Sequence, residues 1–271
     1  MPWAPHAVKL APEGGVVPRG WILFLHGILG SGANWRTIAR RVVTARPELG
    51  AVLVDLRMHG RSQGAPPPHT IDTAAGDLVH LAAELSLAAV VGHSFGGKVA
   101  LALRGQLQIA QTWVLDATPG ARAEPKGDPD SAQHVLDALR TVPPSFPDRA
   151  AFVAAMTSLG FSRALADWLA MNLEPSDGQY RLRLDLDAVG ALLADYYRRD
   201  LWPALERGPG EAHLVIAARS RALSDEDRRR AAELPIRVHT IDAGHWLHME
   251  APDALVALLS ATLPATPEVP P

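Results

Sequence analysis

The sequence predicts an α/β fold: a mostly parallel sheet with helices on both faces and an inserted helical cap. Short runs rich in Val, Ile and Leu recur along the chain, helical patterns separate most of them, and between 118 and 211 this alternation stops. Near-continuous apolar strands flanked by helices imply a sheet covered on both faces, the setting in which parallel strands occur. The 271 residues, 48% hydrophobic and 20% charged, have a globular composition and suffice for one such domain with a large insertion.

In chain order, strands are expected at 21–25 (WILFL), 51–56 (AVLVDL), 88–91 (AAVV), 112–115 (TWVL), 213–217 (HLVIA) and 237–241 (RVHTI). Apolar residues at three- and four-residue intervals place helices at 34–45, 71–86, 95–105, 225–233 and 252–263. Ser224 before Asp225 and Glu226 reads as an N-cap, and Pro252 suits a first helical turn. Residues 1–117 and 211–263 then form the core and 118–210 the cap, whose joints are VPPSFP at 142–147 and Gly-Pro-Gly at 208–210. No run in the insert is long enough to read as a strand. It holds Tyr180, Tyr196, Tyr197, Phe146, Phe152 and Phe161, so it has apolar surface of its own to bury, and it is placed to act as a lid. The Pro-rich tail at 264–271 is expected to be disordered.

With 26 Lys+Arg against 29 Asp+Glu and no long basic run, no nucleic-acid partner is expected. The absence of cysteine excludes disulfides, thiolate metal sites and cysteine nucleophiles. No leader pattern opens the chain and no stretch of 18 apolar residues occurs, so a soluble cytoplasmic protein is expected, without a membrane span. Oligomeric state is not legible.

The strongest chemical signal is Gly92-His93-Ser94-Phe95-Gly96-Gly97, between the strand AAVV and a helix. A G-x-S-x-G turn in that setting is a nucleophile elbow: the turn is sharp, so Gly92 and Gly96 must be small, and Ser94 sits where helix N–H groups favour negative charge. Leu25-His26-Gly27-Ile28-Leu29-Gly30 follows the strand WILFL. A tetrahedral oxyanion needs two donors, and the N–H groups of Phe95 and Ile28 are the candidates. Ala243-Gly244-His245-Trp246 follows the last strand, which brings His245 to the carboxyl edge of the sheet as the general base. His26 and His93 are expected to pack locally and His59 to support structure, while His248 is a weaker candidate base.

These blocks resemble the α/β-hydrolase superfamily, and within it small serine carboxylesterases with the pattern HGxxGSxxNW, DxRxHGRS, GHSxGGK and AGHW. Here they read HGILGSGANW, DLRMHGRS, GHSFGGK and AGHW, in the expected order, with the insert where the superfamily carries its cap. The resemblance implies a Ser-His-acid mechanism with no metal and no organic cofactor, acting on a small-molecule ester. The acid's commonest place, the loop after HLVIA, reads ARSRAL and has no carboxylate before Asp225. Asp116 ends the strand TWVL and keeps the order Ser94, Asp116, His245, so it is the expected acid; Asp225 is the alternative, and Asp242 lies too close to His245 in sequence. Trp35, Trp168, Tyr196 and Trp246 are expected to line the pocket, with Ile28 and Phe95, and to favour an apolar acyl group. A thioesterase, a carbon-carbon bond hydrolase or a perhydrolase would keep the same triad, and a binding protein could keep the fold without the reaction.

Overall fold

The computed structural model describes residues 3–123 and 131–264; the expected tail beyond Pro264 lies outside them. Seven strands form one sheet in the order β1-β3-β2-β4-β5-β9-β10. Six of them were expected: β2 (Gly20–Leu25), β3 (Leu49–Val54), β4 (Leu87–His93), β5 (Gln111–Leu115), β9 (Glu211–Ala217) and β10 (Arg237–Ile241), all mutually parallel. The seventh, β1 (Ala7–Leu10), pairs antiparallel with β3 at one edge. Its four residues are only partly buried, so it lacks the continuous apolar run that marks the inner strands.

Side chains alternate between two layers, as the pleat requires. On β2, Ile22 and Phe24 pack with Ile38 and Val42 of α1 (Arg36–Ala45) and with Leu255 and Leu259 of α11 (Pro252–Thr262). Leu23 and Leu25 face the other way, toward Leu78 of α2 (Ile71–Ala83) and Val99 and Leu103 of α3 (Phe95–Arg104). The caps match their sequence signals: Ser224 closes a capping box on α9 (Asp225–Glu233), and Pro252 occupies the first turn of α11.

Between β5 and β9 the described chain forms α4 (Ala132–Thr141), α5 (Arg149–Ser158), α6 (Arg163–Leu169), α7 (Leu186–Arg198) and α8 (Trp202–Arg207). It also forms a small antiparallel sheet of β6 (Ser145–Phe146), β8 (Gln179–Leu182) and β7 (Leu173–Ser176), which corrects the all-helical reading of this segment. These strands are two to four residues long and half exposed, and QYRL and LEPS carry too few apolar residues to show a period. The inner side of the segment joins the α2–α3 layer through Phe152, Leu192, Tyr196 and Trp202, so it lies over the carboxyl ends of the strands.

Candidate active site

β4 runs directly into α3, and Ser94 at the joint has φ +52° and ψ −115°. A non-glycine residue holds such angles only when its surroundings enforce them. The enforcement is close packing: a Cβ on Gly92 would strike the Gly96 carbonyl, and one on Gly96 would lie 2.5 Å from the Leu25 carbonyl oxygen. The Ser94 N–H donates to Leu115 O at 2.9 Å and its carbonyl accepts from Gly97 N–H at 2.9 Å. Among the described residues the N–H of Phe95 has no acceptor, and the residue lines a cavity of about 920 Å³ beside Ser94.

The loop after β2 is fixed from several sides. The Gly27 carbonyl accepts from His26 Nδ1–H at 2.7 Å and from Gly30 N–H at 3.1 Å. Because a trans peptide directs its N–H opposite its carbonyl, this anchoring turns the Ile28 N–H the other way. Leu29, at φ +63°, gives its N–H to His59 Nε2 at 3.0 Å, and its carbonyl accepts from Asn172 Nδ2 at 2.9 Å. Among the described residues Ile28 N–H has no acceptor, and Gly27 lies so near the elbow that a Cβ on it would be 3.6 Å from Ser94 Cβ. His26 also accepts from Leu56 N–H at 2.9 Å, and His59 donates from Nδ1 to Arg57 O at 2.9 Å. Both bonds to N–H groups require an unprotonated ring nitrogen. Burial lowers His26 to about 4 and His59 to about 3, consistent with neutral rings.

Asp116, fully buried at φ +46°, follows β5. Its Oδ1 accepts from Ala217 N–H at 3.1 Å and its Oδ2 from His245 Nδ1–H at 2.7 Å. With its proton on Nδ1, His245 presents Nε2 as a base. The two rival carboxylates lie elsewhere: Asp225 is exposed in the first turn of α9, and exposed Asp242 pairs with Arg219. The histidine loop is braced twice more. His93 donates from Nε2 to the His245 carbonyl at 2.7 Å, and Gly244 N–H donates to Glu250 Oε2 at 2.8 Å. Ser94 and His245 both line the cavity but are not hydrogen-bonded to each other; bonds of this kind often tighten only around a substrate.

Trp168 and Trp246, edge to face with centroids 4.8 Å apart, share the cavity wall with Leu159, Phe161, Leu165 and Leu193. Tyr196 is buried there, and burial pushes its hydroxyl pKa up. Trp35 is a correction: it is only 1% exposed, packs against Phe24 and His248 in the layer under α1 and α11, and does not reach the main cavity. Its place at the end of a short helical turn points it inward. His248 is likewise buried, its side chain between Trp35, His93 and Trp246.

Two contributors escape sequence reasoning. Asn172 reaches the oxyanion-type loop from the insert, and Lys98 of α3 gives three hydrogen bonds of 2.6–2.7 Å to the carbonyls of Gly120, Tyr196 and Arg199. Asn172 belongs to no local pattern, whereas Lys98 closes the GHSFGGK block but has its partners far along the chain. For Lys98, however, a lysine on the apolar face of a helix beside a nucleophile elbow is a usable signal.

The sequence profile of the alpha/beta hydrolase family matches residues 22–258. The chain belongs to the alpha/beta hydrolase family. This hydrolase is 29% identical over 244 residues to the sn-1-specific diacylglycerol lipase ABHD11 of Danio rerio, covering 85% of this chain and 74% of that one. It is 27% identical over 244 residues to esterase YbfF of Escherichia coli K12, covering 87% and 89% respectively. Among solved structures, a marine microorganism esterase superposes with a TM-score of 0.80 at 23% identity, over 94% of this chain and 98% of that one, a likeness of fold.

Proposed function

We propose that this alpha/beta hydrolase cleaves carboxylic esters of apolar acyl groups through an acyl-enzyme on Ser94. The observation that carries the reading is the 2.7 Å bond between His245 and buried Asp116, on a cavity wall that also holds Ser94 at a strained turn. His245 Nε2 takes the proton from the Ser94 hydroxyl as its oxygen attacks the ester carbon. Asp116 orients the ring and stabilises the imidazolium. The Ile28 and Phe95 N–H groups receive the oxyanion. Collapse of the tetrahedral intermediate expels the alcohol, protonated by His245, and water then repeats the sequence on the acyl-enzyme. The names of two relatives, a diacylglycerol lipase and an esterase, support the reaction class. The walls of Trp168, Trp246, Leu159 and Phe161 support an apolar acyl group.

A fluorophosphonate probe followed by intact-mass and peptide analysis tests the proposal. One adduct on Ser94 is expected, absent in Ser94→Ala, together with hydrolysis of p-nitrophenyl esters ranging from acetate to palmitate. A folded protein that neither labels nor hydrolyses any member of the series would overturn it.

A further inference from the structure

Three arginines, Arg122, Arg219 and Arg221, border the same cavity. Arg219 is committed: it pairs with Asp242 and Glu250, and Glu250 holds Gly244 of the histidine loop. Arg122 is different. Its guanidinium lies 5.7 Å from the ring centre of Tyr196 and 5.3 Å from that of Tyr197, and one nitrogen donates to the Ala222 carbonyl at 3.3 Å. Its own N–H donates to Tyr197 O at 2.8 Å, so backbone and side chain are both anchored. Arg221 precedes Ala222 in the chain and borders the same cavity. Among the described residues neither Arg122 nor Arg221 forms an ion pair.

Among the described residues, the carboxylates nearby already accept hydrogen bonds. Asp116 serves His245, Asp242 and Glu250 serve Arg219, and Asp227 accepts the Ser224 N–H in the box that caps α9. Tyr196 lines the cavity with Ser94 and its ring supports Arg122, so the guanidinium and the nucleophile border one cavity. An arginine stacked on aromatic rings loses little further freedom when it binds, and its planar fork suits carboxylate or phosphate oxygens.

Resting on the esterase reading above, we propose that Arg122, with Arg221, forms an anion subsite of the cavity, and that the preferred substrate carries a carboxylate or phosphate that reaches these arginines while its ester carbonyl lies at Ser94. The substrate is then amphiphilic, with an apolar part against Trp168 and Trp246 and an anionic group against the arginines. The anion can belong to the acyl half or to the alcohol half.

Two ester pairs separate these sources: p-nitrophenyl hemiglutarate against p-nitrophenyl pentanoate, and carboxyphenyl butyrate against phenyl butyrate. The expected result is a kcat/KM at least tenfold higher for the anionic member of one pair. Arg122→Met should reduce that ratio about tenfold and Arg122→Lys less, and the preference should weaken as salt is raised. Calorimetric binding of the same esters to Ser94→Ala provides a readout independent of turnover, with the anionic member tighter by a similar factor and the difference lost in Ser94→Ala/Arg122→Met. Equal binding of anionic and neutral members in both pairs, or a preference untouched by Arg122→Met and Arg221→Met, would overturn the subsite while leaving the esterase reading intact. Selective binding without any Ser94-dependent hydrolysis would instead keep the subsite and sink the esterase reading.

Discussion

At His245, a single carboxylate is in place to define the tautomer. Asp116→Asn keeps an oxygen for Ala217 N–H but removes the anion that faces Nδ1, so kcat should fall by roughly 10² to 10⁴ with little change in unfolding midpoint. Asp225→Asn, in an exposed capped turn, should cost less than about tenfold by the same reasoning. Steady-state kinetics of the two variants on one ester decides between them, and the reverse ranking would move the acid to Asp225. Ser94→Ala and His245→Ala should each remove a factor on the order of 10⁴ to 10⁶, and the double variant should be no slower than the worse single one. What can be read at this scale from sequence is whatever backbone geometry forces into a local pattern. Gly92 and Gly96 are dictated by the turn that Ser94 makes, and Asp116 stands out as a charge ending an apolar strand. Trp35 departs from the expectation because an aromatic residue next to a motif can face the sheet as readily as the cavity, and only packing against Phe24 decides it. Arg122 and Asn172 sit in stretches with no period, where a side chain's partner is set by the fold alone.

Among the elements, the insert and the loop after β2 are coupled. Asn172 follows α6 and bonds the carbonyl of Leu29, the residue after the proposed oxyanion donor. Asn172→Ala should therefore lower kcat by about tenfold, the worth of one buried hydrogen bond, while KM moves little. Stopped-flow acylation with a p-nitrophenyl ester measures this directly, and a change confined to KM would make Asn172 a substrate contact instead. Lys98 ties α3 to the insert through three carbonyls on its far side. Lys98→Met leaves those carbonyls without a donor and should destabilise the protein by on the order of 2–4 kcal/mol. Denaturant titration reads it, and an unchanged midpoint would mean that the carbonyls find other donors. The inner strands and the long helices are legible from sequence because each buries a continuous face; β1 and the strands β6 to β8 are not, because short edge strands bury little and their pairing is fixed by distant neighbours.

Over the whole molecule, burial keeps a set of histidines neutral: His26, His213 and His248 are lowered to about 4 and His59 to about 3. Unfolded, each titrates near 6.5, so on acidification the unfolded chain takes up protons that the folded one refuses. Stability from these groups is complete above about pH 6.5 and is lost as pH falls toward 4, at about 1.4 kcal/mol per pH unit for each proton. Urea midpoints taken between about pH 7 and 5 should fall accordingly, and His59→Gln, which keeps an acceptor for Leu29 N–H, should make the slope shallower by about one proton. A midpoint independent of pH over that window would show that the folded protein takes up the same protons. The path of the chain has another consequence. It leaves the sheet after Leu115 and returns on β9, the strand next to β5 in the sheet, where Leu115 is in register with Val215 and Asp116 bonds both Val215 and Ala217. Everything between is a closed excursion whose two ends are stapled by the residue that orients His245. Its length can change at a modest cost in closure entropy, so the excursion is a cassette with two fixed points: segments exchanged between Asp116 and Glu211 can alter which substrates enter, provided that they keep a donor to the Leu29 carbonyl and the carbonyls that Lys98 reaches.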